Sequence, residues 1–347
     1  MSMIEIARKA KVSTGTVCKV LNGHSSVSSQ LSSRVYKVAQ ELGYEHRKKR
    51  RGKSNAAINT GYMGLLCVGL PEETVKLPFM LTFASYLESQ LSNQGMQMVW
   101  VQVPDPEVLP DNVNPARMDG GFVIGYPGAK MLPGLHRLRA VGVFGCPHAG
   151  LDWVTTNAAE HGRRAGEYLL ERGHRRLAFL CTDKHHDVFA EYGRAFKNTV
   201  DAHGVEAMML VSQKEYSFRY FMTQRDIREI VRELLQAGYF ALSAEKRPTG
   251  MYIANDEIAM ITYQVLAEHG VNPGTDIEII SNDNNEPFLA ALEPRPATIE
   301  PNYMEITRRA VEKLLYRIQY PNAPIGAQLL VPPRLVSPNP AVDERTR

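Results

Sequence analysis

Apolar positions along the chain change their period near residue 60. Before it they recur at helical spacing. Ile4, Ile6 or Ala7, and Ala10 mark one short segment, with Val12 filling the turn after it, and Val17, Val20 and Leu21 mark a second. In a third, Leu31, Val35, Val38 and Leu42 follow at steps of four, three and four, which makes one helical stripe. Ser13 stands where an N-cap belongs before a helix over about Thr14 to Leu21, Asn22-Gly23 closes that helix, Ser28 caps the next and Gly43 ends it. From residue 61 onward, continuous apolar runs replace the stripes: Tyr62 to Leu70, Met96 to Val103, Gly120 to Ile124 and Val141 to Phe144 read as buried strands. Helical stretches such as Phe79 to Asn93 lie between them. After Trp153 the alternation resumes: helix Ala158 to Arg172, strand Leu177 to Cys181, helix Tyr192 to His203, strand Ala207 to Val211, helix Thr223 to Ala237, strand Gly250 to Ala254, helix Ile258 to His269, strand Ile277 to Ser281. The pattern predicts an α/β chain: a three-helix helix-turn-helix head, then parallel sheets covered by helices, in two groups and hence two lobes with a ligand cleft between strand ends.

Length agrees, since 347 residues exceed one ordinary domain. Charge sharpens the division. Residues 1–53 hold twelve Lys and Arg against three Asp and Glu, while the remainder holds 28 against 34, so a net charge of +3 conceals a strongly basic head on a mildly acidic body. Such a head attracts a polyanion, and a basic helix-turn-helix unit points to double-stranded DNA. No run of eighteen apolar residues suggests a membrane span, and the N-terminus carries no export signal, so a cytoplasmic protein is expected. Cys18, Cys67, Cys146 and Cys181 are far apart and form no CxxC pair, which predicts reduced thiols and neither a metal nor a disulfide framework. His185-His186 reads as loop. No GxSxG, P-loop, GxGxxG or HExxH motif is present, so no enzyme and no cofactor are expected.

The string IARKAKVSTGTVCKVLNG, with VSS and RVYKVAQELGY after it, resembles the DNA-binding headpiece of the LacI/GalR family of bacterial transcription regulators. MDGGFVIG, GRRAGEYLLERGHRRLAFL, RPTGMYIANDEIAMITYQVL and PATIEPNYMEITRRAVEKLL resemble successive landmarks of the same family's body, which is similar to periplasmic sugar-binding proteins. The resemblance implies that Thr14, Gly15 and Lys19 face base edges in the major groove. It places Ser13, Thr16, Asn22, Ser28 and Arg34 on phosphates and Cys18 against the DNA backbone. Lys19 stands where the family usually has Arg, and an ammonium cannot form the planar two-bond fork to guanine.

The same resemblance divides the chain into a head at 1–46, a basic hinge at 47–60, a two-lobed body at 61–336 and a tail at 337–347. Lobe one is expected over 61–157 and 287–317, and lobe two over 158–286 and 318–336. The hinge departs from the family: no leucine lies between Leu42 and Leu65, so Arg47, Arg50 and Lys53 are expected to bind through charge, with Ile58 a candidate minor-groove wedge. In the body, Phe79, Asn157, Asn255 and Asp283 match effector-contacting positions, which suit a sugar or polyol. The family's ligand-gripping Arg is replaced by Tyr192, leaving Arg194 as the nearest cation and a neutral sugar stacked on Tyr192 as the preferred effector. A palindromic operator implies a homodimer, and the short tail without a leucine heptad argues against a tetramer. The expected function is an effector-controlled repressor. The alternatives are a ligand-binding protein or regulator without effector response, whose head binds DNA constitutively or serves assembly, and an α/β enzyme reusing the cleft.

Overall fold

A computed structural model of the chain describes residues 3–21, 29–42, 58–145, 147–148, 150–214 and 222–338, and it divides into two compact units, residues 1–55 and 56–347. In the first unit lie α1 (Met3–Ala10), α2 (Thr14–Leu21) and α3 (Ser29–Glu41). Ile6, Ala7, Ala10, Val17, Val20, Val35, Val38 and Ala39 form its core, with Val12 and Leu42 packed at the margin. The tight turn between α1 and α2 holds Lys11 at φ 53, and the Val12 amide donates to the Ala7 carbonyl at 3.0 Å. Ser13 then caps α2, its Oγ accepting from the Thr16 amide at 3.1 Å.

The second unit contains two six-stranded sheets. The first is built from β1 (Tyr62–Val68), β2 (Gln97–Val103), β3 (Gly120–Gly125), β4 (Val141–Val143), β5 (Asp152–Thr156) and β11 (Gln328–Val331). Its order is β2-β1-β3-β4-β5-β11, parallel throughout. Helices α4 (Pro78–Asn93), α5 (Leu132–Arg137) and α11 (Tyr303–Gln319) belong to this lobe. The second sheet, β7-β6-β8-β9-β10-β12, uses β6 (Leu177–Cys181), β7 (Ala207–Val211), β8 (Gly250–Ile253), β9 (Glu278–Asn282), β10 (Ala297–Glu300) and an antiparallel edge strand, β12 (Arg334–Val336). Around it lie α6 (Ala158–Glu171), α7 (Asp187–Asp201), α8 (Gln224–Leu234), α9 (Asp256–Glu268) and α10 (Glu286–Leu289). The near-continuous apolar character of these strands follows from helices covering both faces of a parallel sheet.

The chain therefore crosses between lobes three times: after β5, after β10 and between β11 and β12. This corrects the expected lobe boundaries. Residues 297–299 pair with β9 in lobe two instead of joining lobe one, and 328–331 pair with β5 in lobe one instead of joining lobe two. Strand partners across such separations leave no periodic trace in the sequence.

Ile58 is also corrected. It packs against the lobe-one core, partly buried, and so is not held free as a wedge. The segment after it is pinned by Asp119, whose carboxylate accepts from the amides of Asn59 (2.7 Å), Thr60 (2.9 Å) and Gly61 (2.6 Å) and from the Thr60 hydroxyl (2.9 Å). Burial alone would raise the Asp119 pKa, but these donors outweigh it and hold the carboxyl below its usual range. Asp119→Ala leaves three amides without their acceptor. It is expected to cost about 2–3 kcal/mol and to open a protease site near residue 60, read by thermal unfolding and limited proteolysis. Among the described residues no helix is long and apolar enough to cross a membrane.

Candidate functional site

A cavity of about 190 Å³ lies between the lobes at the carboxyl ends of their strands. Lobe one contributes Phe79 at the start of α4, Tyr126 after β3, Phe144 after β4, and Thr155 and Thr156 at the end of β5. Phe144 is held in the left-handed region, φ 58. Its carbonyl accepts from the Trp153 indole at 2.8 Å, and the neighbouring Gly145 carbonyl accepts from the Thr155 hydroxyl at 2.9 Å. Locked in this way, its ring stacks between Phe79 (centroids 5.5 Å apart) and Tyr303 (5.8 Å). Lobe two contributes His186, Phe189 and Tyr192 from the start of α7, Asn255 and Glu257 from the start of α9, and Asp283, Asn285 and Phe288 from the segment after β9.

Behind the cleft, His161 joins the lobes. It is fully buried; its Nε2 lies 2.8 Å from Thr156 Oγ1 in lobe one, and its Nδ1 lies 2.9 Å from Asn282 Oδ1 in lobe two. Asn282 Nδ2 donates to the Ala254 carbonyl at 3.0 Å, so its Oδ1 must face the imidazole as acceptor. His161 therefore carries its proton on Nδ1, and Thr156 donates to Nε2. Burial, with a contribution from the Arg164 charge, pushes the His161 pKa down to about 4, so the ring is neutral near pH 7. Its face stacks on Tyr192, centroids 4.7 Å apart, which ties the relay to the cleft wall.

Two carboxyls sit at the floor. Asp256 is fully buried and accepts from the Ser281 hydroxyl (2.5 Å), the Thr298 hydroxyl (2.9 Å) and the Asn285 amide (2.6 Å). Asp283 is half-buried and lines the cleft from a left-handed residue, φ 98. Among the described residues no hydrogen bond or ion pair reaches its carboxyl group. Burial pushes both carboxyls up, and the charge of Asp256 raises Asp283 further. Three donors favour the ionised form of Asp256 and none favours that of Asp283, so the proton of the pair rests on Asp283.

Of the residues singled out in the sequence, Phe79, Tyr192, Asn255 and Asp283 converge on the cleft. Asn255 also caps α9, its Oδ1 accepting from the Ile258 amide at 2.8 Å. Two expectations need correction. Asn157 caps α6 by accepting from the Glu160 amide, and the cleft wall passes through its neighbours Thr156 and Ala158 instead. Arg194 points to solvent, 66% exposed, and pairs with Glu191 one helical turn away. His186 is no plain loop residue: its Nδ1 caps α7 and its ring stacks on Phe189 at 3.9 Å. Cys67 and Cys181 are buried free thiols.

In the head, Ser13, Thr14, Gly15 and Arg34 are exposed and Thr16 half-buried, with Thr14 and Gly15 opening α2. Cys18 and Lys19 lie on α2, with side chains outside the described set; Asn22, Ser28, Arg47, Arg50 and Lys53 lie outside the described residues, as does Cys146. The sequence reading missed His161, Phe144, Tyr126, Glu257 and Phe288. A histidine on an amphipathic helix and aromatics after strands carry no distinctive spacing.

A helix-turn-helix head on one chain with a two-lobed, cleft-bearing body defines a ligand-binding class of DNA-binding regulator. Residues 2–46 match bacterial regulatory proteins of the lacI family, and residues 167–337 match the periplasmic binding protein-like domain. The chain is thus similar to the lacI family in its head and to a periplasmic binding protein-like domain in its body. It is 25% identical to the ribose operon repressor of Haemophilus influenzae over 342 residues, 95% of this chain and 96% of that protein. Its fold is similar to that of a transcriptional regulator CelR–cellobiose complex, with a TM-score of 0.63, 20% identity and coverage of 97% and 98% of the two chains. It is likewise similar to the Lac repressor dimer bound to operator and the anti-inducer ONPF, with a TM-score of 0.61, 18% identity and coverage of 97% and 98%.

Proposed function

We propose that this protein is a cytoplasmic transcriptional repressor, without enzymatic activity, that binds a two-fold symmetric operator as a homodimer and responds to a sugar or polyol held between its lobes. The observation that carries this reading is a lacI-family head on the same chain as an interlobe cleft. In it, Ser13 to Lys19 present α2 to the major groove: Thr14, Gly15 and Lys19 toward base edges, Ser13, Thr16, Asn22, Ser28 and Arg34 toward phosphates, and Cys18 against the backbone. Arg47, Arg50 and Lys53 add phosphate contacts whose counterion release makes affinity steeply salt-dependent. Phe79, Tyr192, Asn255 and Asp283 hold the effector. Closure on it changes the angle between lobes, with a coupling on the order of 1–3 kcal/mol to operator affinity.

The test is gel retardation with DNA from upstream of the protein's own gene, against non-specific duplex. Specific retardation is expected, and Lys19→Ala should weaken it about tenfold, roughly 1.4 kcal/mol. Equal affinity for every duplex, or no binding in dilute buffer, would remove the reading.

A further inference from the structure

The charge of the cleft wall narrows the effector, on the regulatory reading above. Among the described residues lining the cavity there is no Lys or Arg, whereas Asp283 and Glu257 both line it and Asp256 lies beneath. Among the described residues, Glu257 receives a hydrogen bond from the Gln224 side-chain amide at 3.1 Å and none reaches the Asp283 carboxyl. Arg194, the cation nearest in sequence to Tyr192, is turned away on Glu191. A phosphorylated or carboxylated ligand would meet carboxyls with no described counter-charge. A neutral polyol would hydrogen-bond to the protonated Asp283 and bring no counter-charge to Glu257. The remaining wall is aromatic, with Phe79 and Phe144 on one lobe and Phe189 and Tyr192 on the other, and aromatic faces attract cations.

We infer that the effector is an aminated sugar or polyol ring, its ammonium paired with Asp283 on the Glu257 side of the cleft and its apolar face against Phe79 and Phe144. Pairing draws Asp283 into its ionised form. The carboxylic O–H bond breaks, the proton leaves to the buffer, and the carboxylate faces the ammonium. The other titratable groups around it are Asp256, Glu257, His186, Tyr192 and Tyr303.

The full-length protein is titrated calorimetrically with glucosamine, galactosamine and mannosamine, with the parent hexoses, and with the hexose 6-phosphates, each in phosphate and in Tris buffer. At least one amino sugar should bind ten times or more tighter than its parent. Its binding enthalpy should differ between the buffers by the signature of proton release. Asp283→Asn should abolish that difference and lower affinity for the amino sugar at least tenfold, while a thermal melt checks that the variant is folded. A parent or phosphorylated sugar binding as tightly as the amino sugar overturns the inference, as does failure of all three amino sugars to bind. Retardation of operator DNA by the same preparation separates the two readings. If retardation persists, only the effector assignment falls; if it is absent, the regulatory reading falls.

Discussion

His161→Ala is expected to destabilise the body by about 3–5 kcal/mol, because it removes a buried ring and two buried hydrogen bonds that bridge the lobes. Thr156 keeps only a long bond to the Val331 carbonyl, 3.5 Å, and Asn282 Oδ1 only the Tyr252 hydroxyl, 3.2 Å, both in a space closed to water. Since those partners belong to different lobes, the loss falls on the connection between lobes as well as on local packing. The pH dependence gives a second readout. His161 titrates near its ordinary value of 6.5 when unfolded and at about 4 when folded, so the folded state binds fewer protons between those limits. Its contribution is therefore fully present above about pH 6.5 and is lost as pH falls toward 4, by about 3 kcal/mol in all. Denaturant unfolding at pH 5 and pH 7.5 should show a smaller pH difference in His161→Ala than in the wild type. An unchanged difference would mean that the ring does not carry it.

Gly162→Ala is expected to have an effect of similar size for a different reason. α6 and α7 approach so closely there that a β-carbon on residue 162 would stand 2.2 Å from the Tyr192 carbonyl oxygen and 2.6 Å from the Phe196 amide nitrogen. Both are backbone atoms and cannot rotate aside, so the helices must separate. Overpacking of this kind costs about 3 kcal/mol. The displaced element carries Tyr192, so effector affinity should fall together with stability, in contrast to a purely structural lesion remote from the cleft. Paired measurement of unfolding midpoint and effector titration checks this; a variant that is destabilised but binds normally would place the strain elsewhere.

The head was legible in the sequence because its signals are local. One stripe at helical spacing, one serine before a helix and one turn specify it, and Ser13 caps α2 as its position implies. β1–β4 and β6–β9 were legible for the same reason, as mainly apolar runs of the length a covered parallel strand requires, whereas β5, with Asp152, Thr155 and Thr156 in five residues, was not. What the sequence hid is pairing. β10, β11 and β12 are three or four residues each, and nothing local says which sheet receives them. The same holds for the site. Phe79, Tyr192, Asn255 and Asp283 were found through resemblance, whereas His161 meets Asn282 across 121 residues, a contact no window of sequence contains. Asn157 and Arg194 misled because a capping side chain and a solvent-facing arginine look, in one dimension, like ligand contacts.

The last two described strands go to different sheets: β11 to one and, after two residues, β12 to the other. Neither half of the body is thus a contiguous gene fragment. Recombination that exchanges one lobe for a relative's must splice at every crossing at once, whereas the DNA-reading module can be exchanged with a single join. One splice can therefore pair a head with a different body, but an effector site built from both lobes passes on only with the body whole.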